Sequence, residues 1–292
     1  MKIAIIGLGL MGSSIALGLR RSSFGSEFIG IDQNLDHAQA ALNLGIVDSI
    51  TTWNQTLIAD IIILATPIDT IANLLPKILN QIPENTYVMD LGSTKRRCFE
   101  ILIEHPKRKQ YIATHPMAGT ENSGPQAAFA ELFLNKVAVI CDQELSDPKG
   151  VELIKKLYAS LWMRTIEMSS EEHDRHIAYV SHLSHVTSFA LGNTVLNIEK
   201  NEKNIFDMAS TGFASTVRLA KSSPKMWTPI FEHNKDNILY ALDAYIRNLE
   251  SIKEMLSQNE FGKIENYMKK TNDIRRILNG INNTTQDGKS FK

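Results

Sequence analysis

The sequence predicts a doubly wound parallel α/β sheet over residues 1–168, followed by an all-helical domain over residues 169–292. Two patterns carry this prediction. In the first part, short apolar runs alternate with helical segments, as in proteins with helices on both faces of a parallel sheet. From Ser169 to about Gly280, apolar residues recur at helical spacing and no good strand is found. At roughly 100–200 residues per domain, a chain of 292 residues also fits two domains.

The elements of the first domain follow in order along the chain. Lys2–Ile6 is predicted as a strand, Met11–Arg21 as a helix and Glu27–Ile31 as a second strand. Asp60–Thr66 is a continuous isoleucine-rich run, which is typical of a parallel strand buried on both faces. The remaining predictions are the helix Asp69–Ile82 and the strands Tyr87–Leu91, Tyr111–Thr114, Lys136–Cys141 and Arg164–Met168.

The helical domain opens at a capping box, in which Ser169 precedes Glu172 by three residues. Helical spacing of apolar residues follows in Ile177–Ala190 and again in Met226–Leu256. Long helices with little else to pack on often bury their apolar faces in a partner subunit, so we expect a homodimer formed through this domain. The polar segment 282–292 is expected to be a mobile tail.

Composition limits the classes of function. The chain has 31 Lys and Arg against 32 Asp and Glu, which argues against nucleic acid as the main partner because phosphate binding needs a basic surface. Cys98 and Cys141 lie far apart without a CxxC motif, which excludes a disulfide framework and a cysteine-rich zinc site. The sequence has no apolar run of about 18 residues and no signal-peptide pattern. We therefore expect a cytoplasmic protein without a membrane partner.

A glycine motif follows the first strand and opens the first helix. It is Gly7-Leu8-Gly9-Leu10-Met11-Gly12, a GxGxxG pattern. Gly7 allows a tight turn, Gly9 leaves room for a pyrophosphate and Gly12 lets helix and strand pack closely, while the helix N-terminus supplies N–H donors. Asp32 stands 20 residues after Gly12, where an acid binds the adenosine ribose and repels a 2′-phosphate. These features predict a Rossmann-type site for NAD rather than NADP; the alternative is a tight turn that binds no ligand.

Two further segments end predicted strands. Thr66 and Pro67 end one buried strand, and Ser93 follows the next. Ligands of open α/β sheets lie outside the carboxyl ends of the strands, so we expect Thr66 and Pro67 to line the cofactor site and Ser93 to lie near the nicotinamide. Ser93 could equally cap the helix that follows, and the two roles are compatible.

The candidate acid–base residue is His115, at the carboxyl end of a predicted strand and followed by Pro116. A lone loop histidine is usually a surface residue, but a position in the same crevice as the cofactor favours acid–base chemistry. His182 and His185, three residues apart, share one helix face and could bind a metal, pair with carboxylates or have no special role. No third ligand has suitable spacing, so a metal site is the least favoured of the three. Because a helix has 3.6 residues per turn, His173 is expected about half a turn away from His182, so one straight helix cannot direct both at one point.

An arginine and a tryptophan complete the candidates. Arg218 follows a run of small residues, and its guanidinium is suited to bidentate pairing with a carboxylate. A surface salt bridge is the alternative role for Arg218. Trp227 is expected either to form an apolar wall of the site or to belong to the core.

Taken together, these motifs resemble the prephenate dehydrogenase family, which includes arogenate dehydrogenases. The segments that carry the resemblance are GLGLMGSS, ATPI, DLGSTK, THPMAGTENSG, SHLSH and ASTGFASTVRLAKSSPKMW. The resemblance covers nearly the whole chain, and THPMAGTENSG is its most specific part. It implies an NAD-dependent oxidative decarboxylation of prephenate to 4-hydroxyphenylpyruvate in tyrosine biosynthesis, with no metal.

The resemblance also implies roles for individual residues. His115 would hydrogen-bond the ring hydroxyl of the substrate, and Ser93 would orient His115 and the nicotinamide. Arg218 would hold a substrate carboxylate. The other residues implied at the substrate site are His182 and His185 as lining, Glu121 as a gate or polarising group, and Trp227 as the apolar wall.

Two positions qualify this picture. His173 matches a histidine of the family, although the straight-helix geometry argues against it. Ser215 stands three residues before Arg218, where many relatives are expected to carry an acid.

Three alternatives stay open. Arogenate differs from prephenate by an amino group in place of the side-chain keto oxygen. Other β-hydroxyacid-type dehydrogenases usually place a lysine on the first helix of the second domain, where this chain has no lysine before Lys200. A non-catalytic NAD-binding sensor is disfavoured by the presence together of Ser93, His115 and Arg218.

Overall fold

The computed structural model describes residues 1–52, 58–199, 205 and 208–278. By its internal contacts the chain divides into two compact units, Met1–Lys235 and Asp236–Lys292. The domain boundary that the sequence predicts between residues 168 and 169 stays a prediction. The predicted tail, 282–292, lies outside the described residues.

The first unit is built on an eight-stranded sheet. Its strands are β1 (Lys2–Ile6), β2 (Glu27–Ile31), β3 (Ser49–Ile50), β4 (Ile61–Leu64), β5 (Tyr87–Asp90), β6 (Tyr111–Pro116), β7 (Val137–Cys141) and β8 (Arg164–Met168). The spatial order is β3-β2-β1-β4-β5-β6-β7-β8, which reverses direction between β1 and β4 as in doubly wound folds. Every neighbouring pair is parallel except β6 and β7, which are antiparallel. The predicted fold class is confirmed, with this one antiparallel pair as a correction.

Helices cover both faces of the sheet. In the first unit they are α1 (Leu10–Arg21), α2 (Leu35–Asn43), α3 (Ile68–Gln81), α4 (Arg96–Leu102), α5 (Pro148–Ser160), α6 (Ser170–Ile177), α7 (Leu183–Glu199), α8 (Thr211–Val217) and α9 (Pro224–His233). A π-helical turn, Ala178–His182, joins α6 to α7, and a 3₁₀ turn, Arg218–Lys221, follows α8. In the second unit α10 (Lys235–Ser257) begins at the boundary and α11 (Phe261–Thr271) follows.

The central strands are buried on both faces, as their continuous apolar runs predict. Ile61 and Ile63 of β4 share one apolar core with Ile15 of α1. Ile62 and Leu64 point to the opposite face and share a second core with residues of α3. The carboxyl ends of β1, β4, β5 and β6 therefore lie at one edge of a rigid sheet, and the loops that follow them carry the candidate site residues.

The helical prediction for the second half is confirmed with two corrections. Among the described residues after Met168 the structure has helices and turns and no strand. The Ser169 hydroxyl accepts the Glu172 N–H at 3.1 Å, as the capping box predicts. The predicted run Met226–Leu256 is interrupted at Asn234, which separates α9 from α10, and the π-helical turn breaks the regular helix before α7. Within the described residues, no helix has the length and apolar character needed to cross a membrane.

Candidate active site

The turn between β1 and α1 holds the glycine motif. Gly7 has a φ of +98°, and a Cβ there would lie 2.6 Å from the Ala65 carbonyl oxygen. A Cβ on Gly12 would lie 1.9 Å from the Gly7 carbonyl oxygen. Both distances are far below van der Waals contact, so the tight turn and the close packing of helix on strand both require glycine.

The start of α1 has room for a dinucleotide. A Cβ at Gly9 would meet nothing within 4 Å, and Gly9 caps the helix without a side-chain hydrogen bond. The first N–H groups of the helix, those of Leu10 and Met11, have no acceptor within the helix. Nearby, Pro67 is the N-cap of α3, and the buried Thr66 hydroxyl has no hydrogen-bond partner among the described residues. An open helix N-terminus and an unpaired buried hydroxyl both fit a bound dinucleotide.

Asp32 lies at the carboxyl end of β2, beside this turn. One carboxylate oxygen accepts the Leu8 N–H at 2.7 Å and the other accepts the Asn34 N–H at 2.8 Å. Each carboxylate oxygen can accept a second hydrogen bond, so both oxygens remain able to bind ribose hydroxyls. The carboxylate thus connects the glycine turn to the expected ribose position.

A buried ion pair shapes the turn after β5. The side chains of Asp90 and Lys95 are 0% exposed and form an ion pair. Asp90 also accepts the Gly92 N–H at 2.8 Å and the Tyr111 hydroxyl at 2.7 Å. A buried ion pair needs such additional hydrogen bonds to offset the loss of hydration, and together they hold the turn that carries Ser93.

The predicted capping role of Ser93 is wrong. Helix α4 begins three residues later, and its N-cap is Lys95. The Asp174 carboxylate accepts the backbone N–H groups of Lys95 at 2.8 Å and Arg96 at 2.9 Å, so the helix is capped by a residue far away in the sequence. Ser93 lies half-buried in the preceding turn, and its predicted contacts with His115 and the nicotinamide stay predictions.

His115 lies near the carboxyl end of β6 and is 8% exposed. Its Nδ1 atom is 2.9 Å from His173 Nε2, and His173 Nδ1 is 2.7 Å from the Asp174 carboxylate. Burial lowers the pKa of His115 well below its ordinary value, and the nearby His173, Lys95 and His182 side chains lower it further. His115 is therefore a neutral imidazole near pH 7, the form that a general base requires.

The structure brings His173 and His182 into one hydrogen-bonded group, although the sequence predicts that one straight helix cannot direct both at one point. His173 hydrogen-bonds His115, and the Asn234 amide binds both His182 and the carbonyl oxygen of Asp174, the neighbour of His173. The expectation assumed a straight α-helix, but Ala178–His182 is π-helical. A π-helical turn uses more residues per turn, so the phase of a regular helix does not apply across it.

His182 is held by an asparagine from the end of α9. The Asn234 side-chain N–H group lies 3.1 Å from His182 Nδ1 and 2.7 Å from the Asp174 carbonyl oxygen. Because an amide nitrogen donates, His182 Nδ1 accepts and its Nε2 atom carries the hydrogen. Burial lowers the pKa of His182 to about 4, so the ring is neutral.

His185 and Trp227 form a stacked pair. Their ring centroids are 3.4 Å apart with an interplanar angle of 25°. Trp227 also belongs to the apolar core on the α3 face of the sheet, and its role as a wall of the substrate site stays a prediction. His185 Nδ1 donates to the Ser181 carbonyl oxygen at 3.0 Å, and burial lowers the pKa of His185. The positive charge of Arg218 lowers it further.

Arg218 pairs with Glu121 rather than with a residue of its own segment. Arg218 Nη1 lies 3.6 Å from the Glu121 carboxylate, and both side chains are partly exposed. The Ser215 hydroxyl donates to the Gly212 carbonyl oxygen at 2.9 Å within α8. Ser215 therefore makes its hydrogen bond within its own helix, and Glu121 supplies the carboxylate beside Arg218.

Electrostatic effects link the candidate side chains. Beyond the effect of burial, Arg218 lowers the pKa of His185, His185 lowers the pKa of His182, and His182 lowers the pKa of His115. A cation, Arg218, and a neutral imidazole, His115, are the first and last members of this set. Within the described part of the chain, no group of three or more His, Cys, Asp or Glu side chains is arranged to hold a metal ion.

Sequence reasoning missed four residues that hold the site together. Asp90 and Lys95 are buried charges, although charged residues in a turn are usually hydrated. The roles of Asp174 and Asn234 depend on contacts across 60 and more residues of sequence. The sequence offers one signal of this network, because His173 matches a histidine of the family. The geometry of a straight helix argues against that signal.

A doubly wound sheet with a glycine turn at its switch point and an acidic residue directly after β2 defines the class of Rossmann-type dinucleotide-binding proteins. The model of the prephenate dehydrogenase nucleotide-binding domain matches residues 15–167, and that of the prephenate dehydrogenase dimerization domain matches residues 169–270. The chain belongs to the prephenate dehydrogenase family.

Individual relatives agree with this assignment. The chain is 33% identical to the prephenate dehydrogenase of Bacillus subtilis, over 94% of this chain and 75% of that protein. It is 30% identical to the cyclohexadienyl dehydrogenase of Zymomonas mobilis, over 94% of this chain and 95% of the relative. The crystal structure of prephenate dehydrogenase from Aquifex aeolicus, in complex with hydroxyphenyl propionate and NAD⁺, aligns with a TM-score of 0.87 and 30% identity, covering 95% of this chain and 98% of that one.

Proposed function

We propose that the protein catalyses the NAD-dependent oxidative decarboxylation of prephenate to 4-hydroxyphenylpyruvate. The observation that carries the proposal is His115, a buried histidine kept neutral by its surroundings. It lies on β6, whose carboxyl end faces the same edge of the sheet as the glycine turn. A neutral base beside a dinucleotide site is what the oxidation of a hydroxyl requires.

The cofactor site is formed by the glycine turn and its neighbours. The pyrophosphate is assigned to the N-terminus of α1, with Gly9, Leu10 and Met11, and the adenosine ribose to Asp32. Thr66 and Pro67 line the same crevice. Bound NAD supplies a two-electron acceptor for the hydride that leaves the carbinol carbon of the substrate.

The substrate is a cyclohexadiene with a ring hydroxyl, a ring carboxylate and a pyruvyl side chain. His115 accepts the proton of the ring hydroxyl as the carbinol carbon is oxidised. The dienone that results is a vinylogous β-keto acid, so the loss of CO₂ restores an aromatic ring and drives the reaction forward. His115 and Ser93 orient the reacting carbon, and these residues need no metal for that task.

The helical half supplies the substrate-binding residues in this proposal. Arg218 binds a substrate carboxylate, and Glu121 gates access by competing for the same guanidinium. The stacked His185–Trp227 pair forms an apolar wall, and His182 presents its Nε2–H as a donor. Residues 1–168 thereby form the cofactor domain, and residues 169–292 the substrate and dimerisation domain.

A homodimer formed through the helical domain belongs to the same proposal. The match to a dimerization-domain model over residues 169–270 supports it. The two cysteines are free, buried thiols, which is consistent with a reducing compartment, and we place the reaction in the cytoplasm.

The proposal is tested by following NAD reduction by absorbance, with prephenate and arogenate in separate reactions and NADP as a control. Rapid reduction of NAD with prephenate is the expected result. Reduction with arogenate alone would keep the mechanism and replace the substrate. No reduction with either acid, in protein that binds NAD, would overturn the enzymatic proposal in favour of an NAD-binding sensor.

A further inference from the structure

We propose that His173 and Asp174 are positioning residues that fix the tautomer of His115, leaving its Nε2 atom bare to accept the hydroxyl proton. The inference deepens the proposed function and rests on it, because only a proton-accepting step gives the tautomer a consequence for the rate. The hydrogen bonds that carry it do not depend on which substrate binds.

Asp174 determines the direction of the two hydrogen bonds that link it through His173 to His115. Its carboxylate is 2.7 Å from His173 Nδ1, 2.8 Å from the Lys95 N–H and 2.9 Å from the Arg96 N–H. An ionised carboxylate only accepts hydrogen bonds, so the hydrogen in the first contact belongs to His173 Nδ1. Asp174 is 1% exposed, and these bonds hold it in one position.

The next contact transmits this direction to His115. A neutral imidazole carries one hydrogen, and His173 already carries it on Nδ1. His173 Nε2 therefore accepts, and the atom 2.9 Å away, His115 Nδ1, must donate. A neutral His115 with its hydrogen on Nδ1 has a lone pair on Nε2, which is the atom left for the substrate.

The opposite arrangement has a distinct chemical signature. If His173 donated to His115, then His173 would be a cation and His115 would carry its hydrogen on Nε2. Such a histidine donates to the hydroxyl oxygen and cannot take its proton. In other enzymes that use a histidine oriented by an aspartate, the wrong histidine tautomer strongly lowers kcat.

The kinetic test compares two substitutions of the same residue. Leucine at His173 removes the acceptor, so His173→Leu is expected to lower kcat by about 10²-fold with little change in KM for prephenate. Glutamine places a side-chain carbonyl oxygen at similar reach, so His173→Gln is expected to recover most of that loss. The matched control is His176→Gln, an exposed histidine three residues further along α6, which is expected to keep the wild-type kcat.

A spectroscopic test reads the tautomer directly and needs no activity. In protein with ¹⁵N-labelled histidine, the His115 resonances are assigned by their loss in His115→Asn. The expected wild-type pattern near pH 7 is a protonated Nδ1 and a bare Nε2, with a mixture of tautomers in His173→Leu. A wild-type His115 protonated on Nε2 would overturn the inference, and so would wild-type kcat in a folded His173→Leu protein. If wild-type protein does not oxidise prephenate, the proposed function fails, while the resonances still decide the tautomer.

Discussion

Arg218 and Glu121 form an ion pair in which Arg218 Nη1 lies 3.6 Å from the Glu121 carboxylate. The two side chains are 55% and 41% exposed, so solvent screens their attraction and the pair adds little to the stability of the fold. The pair therefore leaves the guanidinium accessible to another carboxylate. In the proposed function, a substrate carboxylate replaces the Glu121 carboxylate in an exchange between two similar partners.

The first prediction concerns Arg218→Ala. Loss of a charged hydrogen bond costs about 1.5–3 kcal/mol, so KM for prephenate is expected to rise by roughly 10-fold to 150-fold while kcat changes less. Steady-state kinetics at saturating NAD measure both constants. Lys221→Ala removes another cation from the same 3₁₀ turn and serves as the control, with an unchanged KM. An unchanged KM in Arg218→Ala itself would contradict the assigned role.

The second prediction concerns His115→Asn. A positioned general base contributes about 10²-fold to 10⁴-fold, so kcat is expected to fall by that factor. Substrate binding is expected to survive because Arg218 and the stacked pair stay in place. Single-turnover kinetics, together with fluorescence titration of prephenate, separate the chemical step from binding. Wild-type turnover would show that another group takes the proton.

The third prediction is the pH dependence of kcat/KM. Burial, together with the nearby His173 and Lys95, lowers the pKa of His115, which works as a base only when neutral. Activity is therefore present above the lowered pKa and is lost as the pH falls through it. We expect the acidic limb of the profile to lie below pH 6.5, the ordinary value for histidine. A limb centred at or above that value would contradict a buried neutral base.

Much of the site is predictable because it follows elements with strong sequence signals. β4 is a continuous apolar run, which indicates a strand buried on both faces. The GxGxxG motif combined with Asp32 indicates a tight turn between a strand and a helix. His115 is predictable for the same reason, since it ends an apolar strand at the edge where ligands of such sheets bind.

The remaining part of the site depends on contacts that local sequence does not encode. Asp174 caps a helix that begins 78 residues earlier in the chain, so no capping rule finds it. The π-helical turn changes the phase between His173 and His182, and nothing in the spacing of the histidines indicates it. The antiparallel direction of β7 cannot be predicted locally either, because an apolar run does not indicate which way the strand runs in the sheet.

The fourth prediction concerns cofactor choice at Asp32. Asp32→Asn keeps an oxygen for one of the two backbone N–H groups of Leu8 and Asn34 but removes the negative charge. The preference for NAD over NADP, measured as the ratio of kcat/KM values, is expected to fall by about tenfold or more. Asp36→Asn, in the first turn of α2, is the control and is expected to keep the wild-type ratio. An unaltered ratio in Asp32→Asn would place the ribose elsewhere.

The fifth prediction links the burial of His182 to the pH dependence of stability. The pKa of His182 is about 4 in the folded protein and near 6.5 in the unfolded chain, so between these values the unfolded state binds more protons. The free energy of unfolding therefore falls as the pH falls through this window, by up to about 1.4 kcal/mol per pH unit. Urea unfolding at fixed protein concentration measures this loss of stability between pH 6.5 and about 5. The loss is expected to be smaller in His182→Gln than in the wild type by about 1.6 kcal/mol. The exposed His176 offers the control, since His176→Gln should keep the wild-type dependence. Equal dependence in all three proteins would mean that His182 titrates alike in the folded and unfolded states.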